Sequence, residues 1–383
     1  MRTNDPTLTF LAIGPEPTLW LRRVDLGSLD IPHLVQAYFD MKIEKSDLVS
    51  GLISRWVIDP LFCESWPGEE FCDVLASNTA LTCLAIGNCH VEQEAGTQFG
   101  KSLSLNSTLQ TLFVDCCSLG LSWGIGLGDG LARKIGEFLA SNSTLTELDL
   151  GSDNMGDMGG IYLGEALAVN STLTRLELRS NKIGDEGGAR IGEALAVNSA
   201  LRSLDLSSNQ LGPAAGVKIG EALLTNSALT RLNLNNNKIE QVGAGRIGEH
   251  LAINSPLCSL ILSSNEIGAD GGMKLGEALA LNSFLTHLDL TDIQILGDVG
   301  AKIGASLALN PSLISLGLTW NQMNEDGIAK IEEGLAVNSS LTQIIGHNNL
   351  CDAPELLPSY VARNKHNVHL KTVSLFYLLL FWL

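Results

Sequence analysis

Residues Thr172–Ser199 read TLTRLELRSNKIGDEGGARIGEALAVNS, and the fold follows from how this stretch repeats. Leu173, Leu176 and Leu178 lead to Asn181, Ile183 and Gly184, then to Ile191, Gly192, Leu195 and Asn198. Leu201 opens the same series 28 residues later. Further out, the series opens at Leu81, Leu109, Leu145, Leu173, Leu201, Leu229, Leu257, Leu285, Leu313 and Leu341. Eight of the nine intervals are 28 residues, and Leu109 to Leu145 is 36. A fixed period of this size marks a solenoid, in which each unit packs only on its neighbours.

The first half of a unit, such as Leu201-Arg202-Ser203-Leu204-Asp205-Leu206, alternates apolar and polar, which predicts a short strand with one buried face. The second half, such as Ala214 to Leu224, spaces Ile219 and Leu223 by four, which suits a helix with an apolar stripe. Stacking aligns the strands in parallel and lines the helices along the other side. An Asn recurs at the ninth position as Asn181, Asn209, Asn237, Asn265, Asn321 and Asn349, with Cys89, Cys117 and Asp153 in its place elsewhere. Its amide can bond the backbone of the turn leaving the strand. Ile293 cannot, so the turn after Leu290 is expected to be irregular. A second Asn precedes each start by three residues, from Asn78 to Asn338, and is read as a left-handed helix stop. Gly192, Gly220, Gly248 and Gly276 recur inside the helices despite their cost there, which implies a close approach of helix to sheet.

These units resemble the ribonuclease-inhibitor type of leucine-rich repeat, a family that includes the repeat regions of NOD-like receptors and of Ran GTPase-activating protein. The resemblance covers about residues 70 to 355. It implies an α/β leucine-rich repeat solenoid, a horseshoe with a parallel concave β-sheet and convex α-helices. The expected organisation is an N-terminal cap, partly helical, over residues 1–62, a solenoid of about ten repeats over 63–350, and a C-terminal cap and hydrophobic tail over 351–383.

The flanks keep less of the pattern. Leu21, Val24, Leu26 and Leu29 resemble a degraded start, while His33–Met41 and Ser46–Ile58 read as helical. An effector domain is the alternative to a cap there. The eight-residue insertion, between Cys117 and Arg133, alternates Gly124, Gly126, Gly128 and Gly130 but forms neither phosphate-loop motif. It reads as a surface loop with Trp123 as a contact. Leu356, Leu357, Tyr360 and Val361 suggest a last helix. The apolar run Val373–Leu383 is 11 residues long, shorter than the roughly 20 a spanning helix needs. It is left open as an anchor, a partner-binding tail or a misread end of the gene.

The formal net charge is −18, and residues 81–343 carry −13 of it. Such a balance disfavours nucleic acid and anionic membrane and favours basic partners. The eight cysteines include no C-x-x-C pair, and no signal peptide is evident, so reduced thiols in a cytoplasmic protein are expected. The sequons at Asn106, Asn142, Asn170 and Asn338 coincide with helix stops and are read as structural. No metal, cofactor or nucleophile motif is found: the seven histidines form no H-E-x-x-H, and no G-x-S-x-G occurs.

The fifth repeat position is expected on the concave face. It places Asp149, Glu177 and Asp205 on consecutive strands about 4.8 Å apart, an acidic stripe partly offset by Arg175, Arg179 and Arg231. Asp289 continues the acidic positions, and Phe113 and Trp320 are large for exposed sites and are candidate anchors. The partner-binding candidates are therefore Phe113, Asp149, Glu177, Arg179, Asp205, Arg231, Asp289 and Trp320. The expected function is a non-enzymatic scaffold for a basic protein partner. The resemblance also implies a GTPase-activating reading, in which the partner is a small GTPase and Arg179, Asn181 and Lys182 are loop candidates. A ribonuclease-inhibitor-like binder is a third reading. An immune-receptor sensing half is disfavoured because no nucleotide-binding module precedes the repeats.

Overall fold

The computed structural model describes residues 11–13, 55–58, 68–87, 93–115, 128–253 and 255–346. The chain divides into two units, residues 1–183 and 184–383. In the first, the strands are β1 (Leu11–Ile13), β2 (Arg55–Ile58), β3 (Cys83–Gly87), β4 (Thr111–Asp115), β5 (Glu147–Asp149) and β6 (Arg175–Glu177). They pair in chain order and all in parallel. The helices are α1 (Gly68–Ser77), α2 (Gln93–Leu105), α3 (Gly128–Ser141) and α4 (Gly156–Leu167), each packed along the next.

The second unit repeats the arrangement. Its strands are β7 (Ser203–Asp205), β8 (Arg231–Asn233), β9 (Ser259–Ile261), β10 (His287–Asp289), β11 (Ser315–Gly317) and β12 (Gln343–Ile345), again parallel and in order. Its helices are α5 (Asp185–Leu195), α6 (Pro213–Thr225), α7 (Glu240–Leu251), α8 (Gly268–Leu281), α9 (Gly297–Leu307) and α10 (Glu325–Val337). Each unit is an α/β solenoid. The leucines at positions one, four and six, such as Leu229, Leu232 and Leu234, are at most 2% exposed. Ile247 and Leu251 of α7 close over them from the helix side and are equally buried.

The structure corrects four expectations. Residues 55–58 form a strand rather than the end of a helix, with Trp56 in register with Leu84 one period on. Ile53-Ser54-Arg55-Trp56-Val57-Ile58 is a repeat start with aromatic and β-branched residues in place of leucines, so the 28-residue period extends one unit earlier. The remaining expectations for 1–54, the loop residues 116–127 with Trp123, the tail beyond 346, Asn254, Asn349, Cys89 and Cys117 lie outside the described residues. Gly128 and Gly130 belong to the first turn of α3.

Secondly, the Asn before each start is not left-handed. Asn226, Asn282 and Asn338 have φ of −72°, −77° and −64° with extended ψ. Asn226 Oδ1 accepts from the N–H groups of Ala228 and Leu229 at 2.9 and 2.7 Å, and its Nδ2 donates to Leu195 O and Asn198 O of the preceding repeat at 2.7 and 2.9 Å. Asn170 makes the same four bonds in the first unit. These side chains are buried hydrogen-bonding links between repeats, and Asn106, Asn170 and Asn338 are at most 5% exposed, which closes those sequons to a glycan.

Thirdly, the turn after Leu290 is regular. Asp292 and Gln294 have φ of 54° and 62°, matching Ser180 and Lys182 at 57° and 58°. The ninth-position amide donates within its own turn, and its oxygen serves the repeat before. Asn321 Oδ1 accepts from Ile293 N and Ile295 N, so the turn that holds Ile293 keeps its acceptor. The missing amide is felt one repeat earlier, where Ile267 N–H donates to Asn265 O at 2.9 Å instead of to a side chain. Ile293 itself is fully buried.

Fourthly, the helical glycines face helices, not the sheet. A Cβ on Gly248 of α7 would stand 2.7 Å from the carbonyl carbon of Lys274 in α8.

Helix starts are also served across repeats. Gly212, before α6, has no side chain to cap it, and Asp185 of α5 fills that role. Its Oδ1 and Oδ2 accept from Ala215 N and Ala214 N at 2.6 and 3.2 Å. Asp185→Ala is expected to lower the unfolding free energy by about 1 kcal/mol in urea denaturation, the usual cost of losing an N-terminal cap. An unchanged midpoint would show that water replaces the carboxylate without loss.

Candidate functional site

Strand pairing brings three candidates together in the first unit. Phe113 on β4 is in register with Asp149 on β5, and Asp149 with Glu177 on β6. In the second unit Asp205 is in register with Asn233, then Ile261, Asp289, Gly317 and Ile345. Asp289 thus stands three strands from Asp205. Arg231 lies two residues before Asn233, opposite Ser203 and Ser259, and is exposed. Trp320 is on the turn leaving β11. Position four points inward and positions three and five outward, as the alternation of fully buried and exposed or half-buried residues along β6, β8 and β10 demands.

The carboxylates of the expected stripe are not a bare negative row. Asp149 Oδ2 lies 3.2 Å from Nη1 of Arg179, and its Oδ1 accepts from Gly151 N at 2.9 Å. Gly151 leaves room for the guanidinium, which would be 2.8 Å from a Cβ there. Glu177 Oε1 lies 2.8 Å from Nε of Arg175. These carboxylates are mostly buried, 14% and 13% exposed, beside half-open arginines. Repulsion between the two rungs is therefore offset where it arises.

Position five also has a backbone role. Asp205, Asn233 and Asp289 each accept, through Oδ1, from the N–H two residues on, at 2.7, 3.0 and 3.0 Å. Asn233 in addition donates to Asp205 Oδ2 at 2.9 Å. A short side chain with an acceptor is what this turn selects. That accounts for the recurrence of Asp and Asn without any ligand.

Asn181, a loop candidate, is fully buried, and its Nδ2 donates to Leu150 O and Leu178 O. It holds the turn and offers nothing to a partner. Asp292, in contrast, is an exposed carboxylate on the turn leaving β10 that the sequence reading passes over, because turn positions are commonly polar. Cys83 and Cys258 are free thiols. Among the described residues no helix is long and apolar enough to cross a membrane.

A model described as Leucine Rich repeat matches residues 141–164, 169–192, 197–220, 225–248, 254–276 and 281–302. The chain carries six leucine-rich repeats over these residues. Among solved structures, an internalin from Listeria monocytogenes is similar to this leucine-rich repeat protein, with a TM-score of 0.50 and 17% identity, over 84% of this chain and 90% of that one. At that identity the likeness shows the fold alone. A second solved structure, the leiomodin-1 actin-binding site 2, aligns over 62% of this chain and 92% of that one at 15% identity, with a TM-score of 0.27. None of the curated proteins compared with the leucine-rich repeat protein is a significant match.

Proposed function

We propose that this leucine-rich repeat protein is a non-enzymatic scaffold that binds a basic protein partner on the outward face of its strands. The observation that carries this reading is the one-sidedness of the strands. Leu176, Leu232 and Leu288 are at most 2% exposed, while Arg175, Arg231 and His287 beside them face solvent. A row of solvent-facing side chains on rigid rungs is a surface for recognition, not an enclosed cavity for chemistry. The net charge of −18 favours a partner of opposite sign.

The resemblance of the repeat pattern to the ribonuclease-inhibitor type keeps a GTPase-activating role as the second reading. Its loop candidates weaken it: Asn181 is committed to the turn and Arg179 to Asp149. A GTP-hydrolysis assay with small GTPases settles that reading, and no acceleration ends it.

The test of the scaffold is affinity capture with mass spectrometry, followed by titration of the captured partner against Glu177→Lys and Asp205→Lys. Each reversal is expected to weaken binding about 10-fold, as a charge at a buried interface does. Affinity unchanged in both variants would remove the strand face as the binding surface.

A further inference from the structure

We infer that Trp320 and Asp292 form the centre of the partner-binding surface, and that they receive an arginine or lysine side chain from the partner. This rests on the protein-binding reading and narrows it to one place and one chemistry.

Among the described residues, the eighth repeat position is left-handed. Ser152, Ser180, Ser208, Asn236, Ser264 and Asp292 hold φ between 52° and 63° there. All are short and polar, the types that accept this conformation. Trp320 holds the same place at φ 58° with the bulkiest side chain of all, and it is 60% exposed. The ring neither fills the core nor suits the turn.

Asp292 is one rung away. Its N–H donates to Thr319 O at 2.9 Å, so the turn carrying the carboxylate is bonded to the turn carrying the indole. Asp289 adds a second carboxylate: Gly317, next along the row, leaves a space that Asp289 Oδ1 occupies, where a Cβ would otherwise stand. On the helices, charge is matched locally, as in Lys218–Glu221, Arg246–Glu249 and Lys330–Glu333 at 3.0, 3.2 and 2.7 Å. Asp149 and Glu177 are matched as well. Among the described residues, Asp289 and Asp292 have no ion pair; Asp289 Oδ1 accepts from Thr291 N at 3.0 Å and Asp292 Oδ2 from the Ser264 hydroxyl at 3.5 Å, neutral donors that leave both charges in place.

An exposed indole one rung from two carboxylates that have no ion pair attracts a cation twice, through the ring quadrupole and through the carboxylates. A guanidinium fits best, because its plane stacks on the indole while its edge reaches a carboxylate. An acidic segment would be repelled.

The test is fluorescence anisotropy of a labelled, end-blocked hexa-arginine peptide with the full chain at about 150 mM salt, where long-range attraction is screened. A hexa-glutamine peptide is the control. Trp320→Ser leaves the net charge unchanged and installs the residue found at Ser180, Ser208 and Ser264, so the fold is retained; thermal unfolding verifies this. Binding of hexa-arginine is expected to weaken about 10-fold in Trp320→Ser and several-fold in Asp292→Asn, and to be nearly restored in Trp320→Phe. Trp320→Ser binding within about twofold of the parent chain would overturn the site while leaving a basic partner in place. No preference of the parent chain for hexa-arginine over hexa-glutamine would overturn the site and the partner's charge together. The charge reversals at Glu177 and Asp205 test the strand face separately.

Discussion

Asn237→Ala is expected to lower the unfolding free energy by about 2–3 kcal/mol, more than any surface change on the same strand. The amide donates to Leu206 O, Leu234 O and Asn235 O at 3.0, 3.0 and 3.2 Å, and accepts from Leu211 N at 3.0 Å. The losses are unequal. Leu206 O keeps Asn209 Nδ2 as a donor, and Leu234 O keeps Asn265 Nδ2, because a carbonyl has two lone pairs and the repeats share them. Leu211 N–H has one hydrogen, and it loses the Asn237 acceptor at a buried site. An unmade bond there costs roughly 1–3 kcal/mol, and the space left by the side chain adds to it. Because each repeat is held by its neighbours, the damage falls on the junction between the repeats that carry β7 and β8. Urea denaturation followed by circular dichroism measures it. A loss under about 0.5 kcal/mol would mean that water or a backbone shift replaces the ladder, as Asn265 O already does for Ile267 N–H.

The second large effect is a reversal of sign between two glycines three residues apart. In Gly248→Ala the new Cβ would meet Lys274 C, Leu275 N and Lys274 O at 2.7, 2.9 and 2.9 Å. These are backbone atoms and cannot rotate away. α7 and α8 must separate, which costs about 2–3 kcal/mol after the better helix propensity of Ala is allowed for. At Gly245 a Cβ would find only Lys274 Cγ at 3.9 Å, an ordinary contact. Gly245→Ala is therefore expected to stabilise by about 0.5–1 kcal/mol. Thermal unfolding of the two variants side by side is the measurement. The same sign for both would refute helix-to-helix approach as the reason for the recurring glycine.

Much of this architecture is legible in the chain without coordinates. Leucines at positions one, four and six alternate through a strand, and Ile247 and Leu251 recur at helical spacing, so strand, helix and parallel stacking follow from periodicity alone. The candidate site is legible in position only. That Asp149 and Glu177 share a row with Phe113 follows from the register of the repeat. That both are matched, by Arg179 from the adjacent rung and by Arg175 from the same strand, does not, because a side chain's choice among neighbours is a matter of reach and, for Arg179, of the room left by Gly151.

The period, the parallel order, the buried leucines and the places where an amide is needed are set by residue type at fixed spacing, and so can be read from the chain. Only the stacking of repeats shows which repeat each amide serves, that the glycines answer to helices and not to the sheet, and that the turn of Asp292 is bonded to the turn of Trp320. The reason is common to all three. These are contacts between residues about 28 apart, and their partners are fixed by how one repeat is set upon the next, a geometry that no single repeat contains.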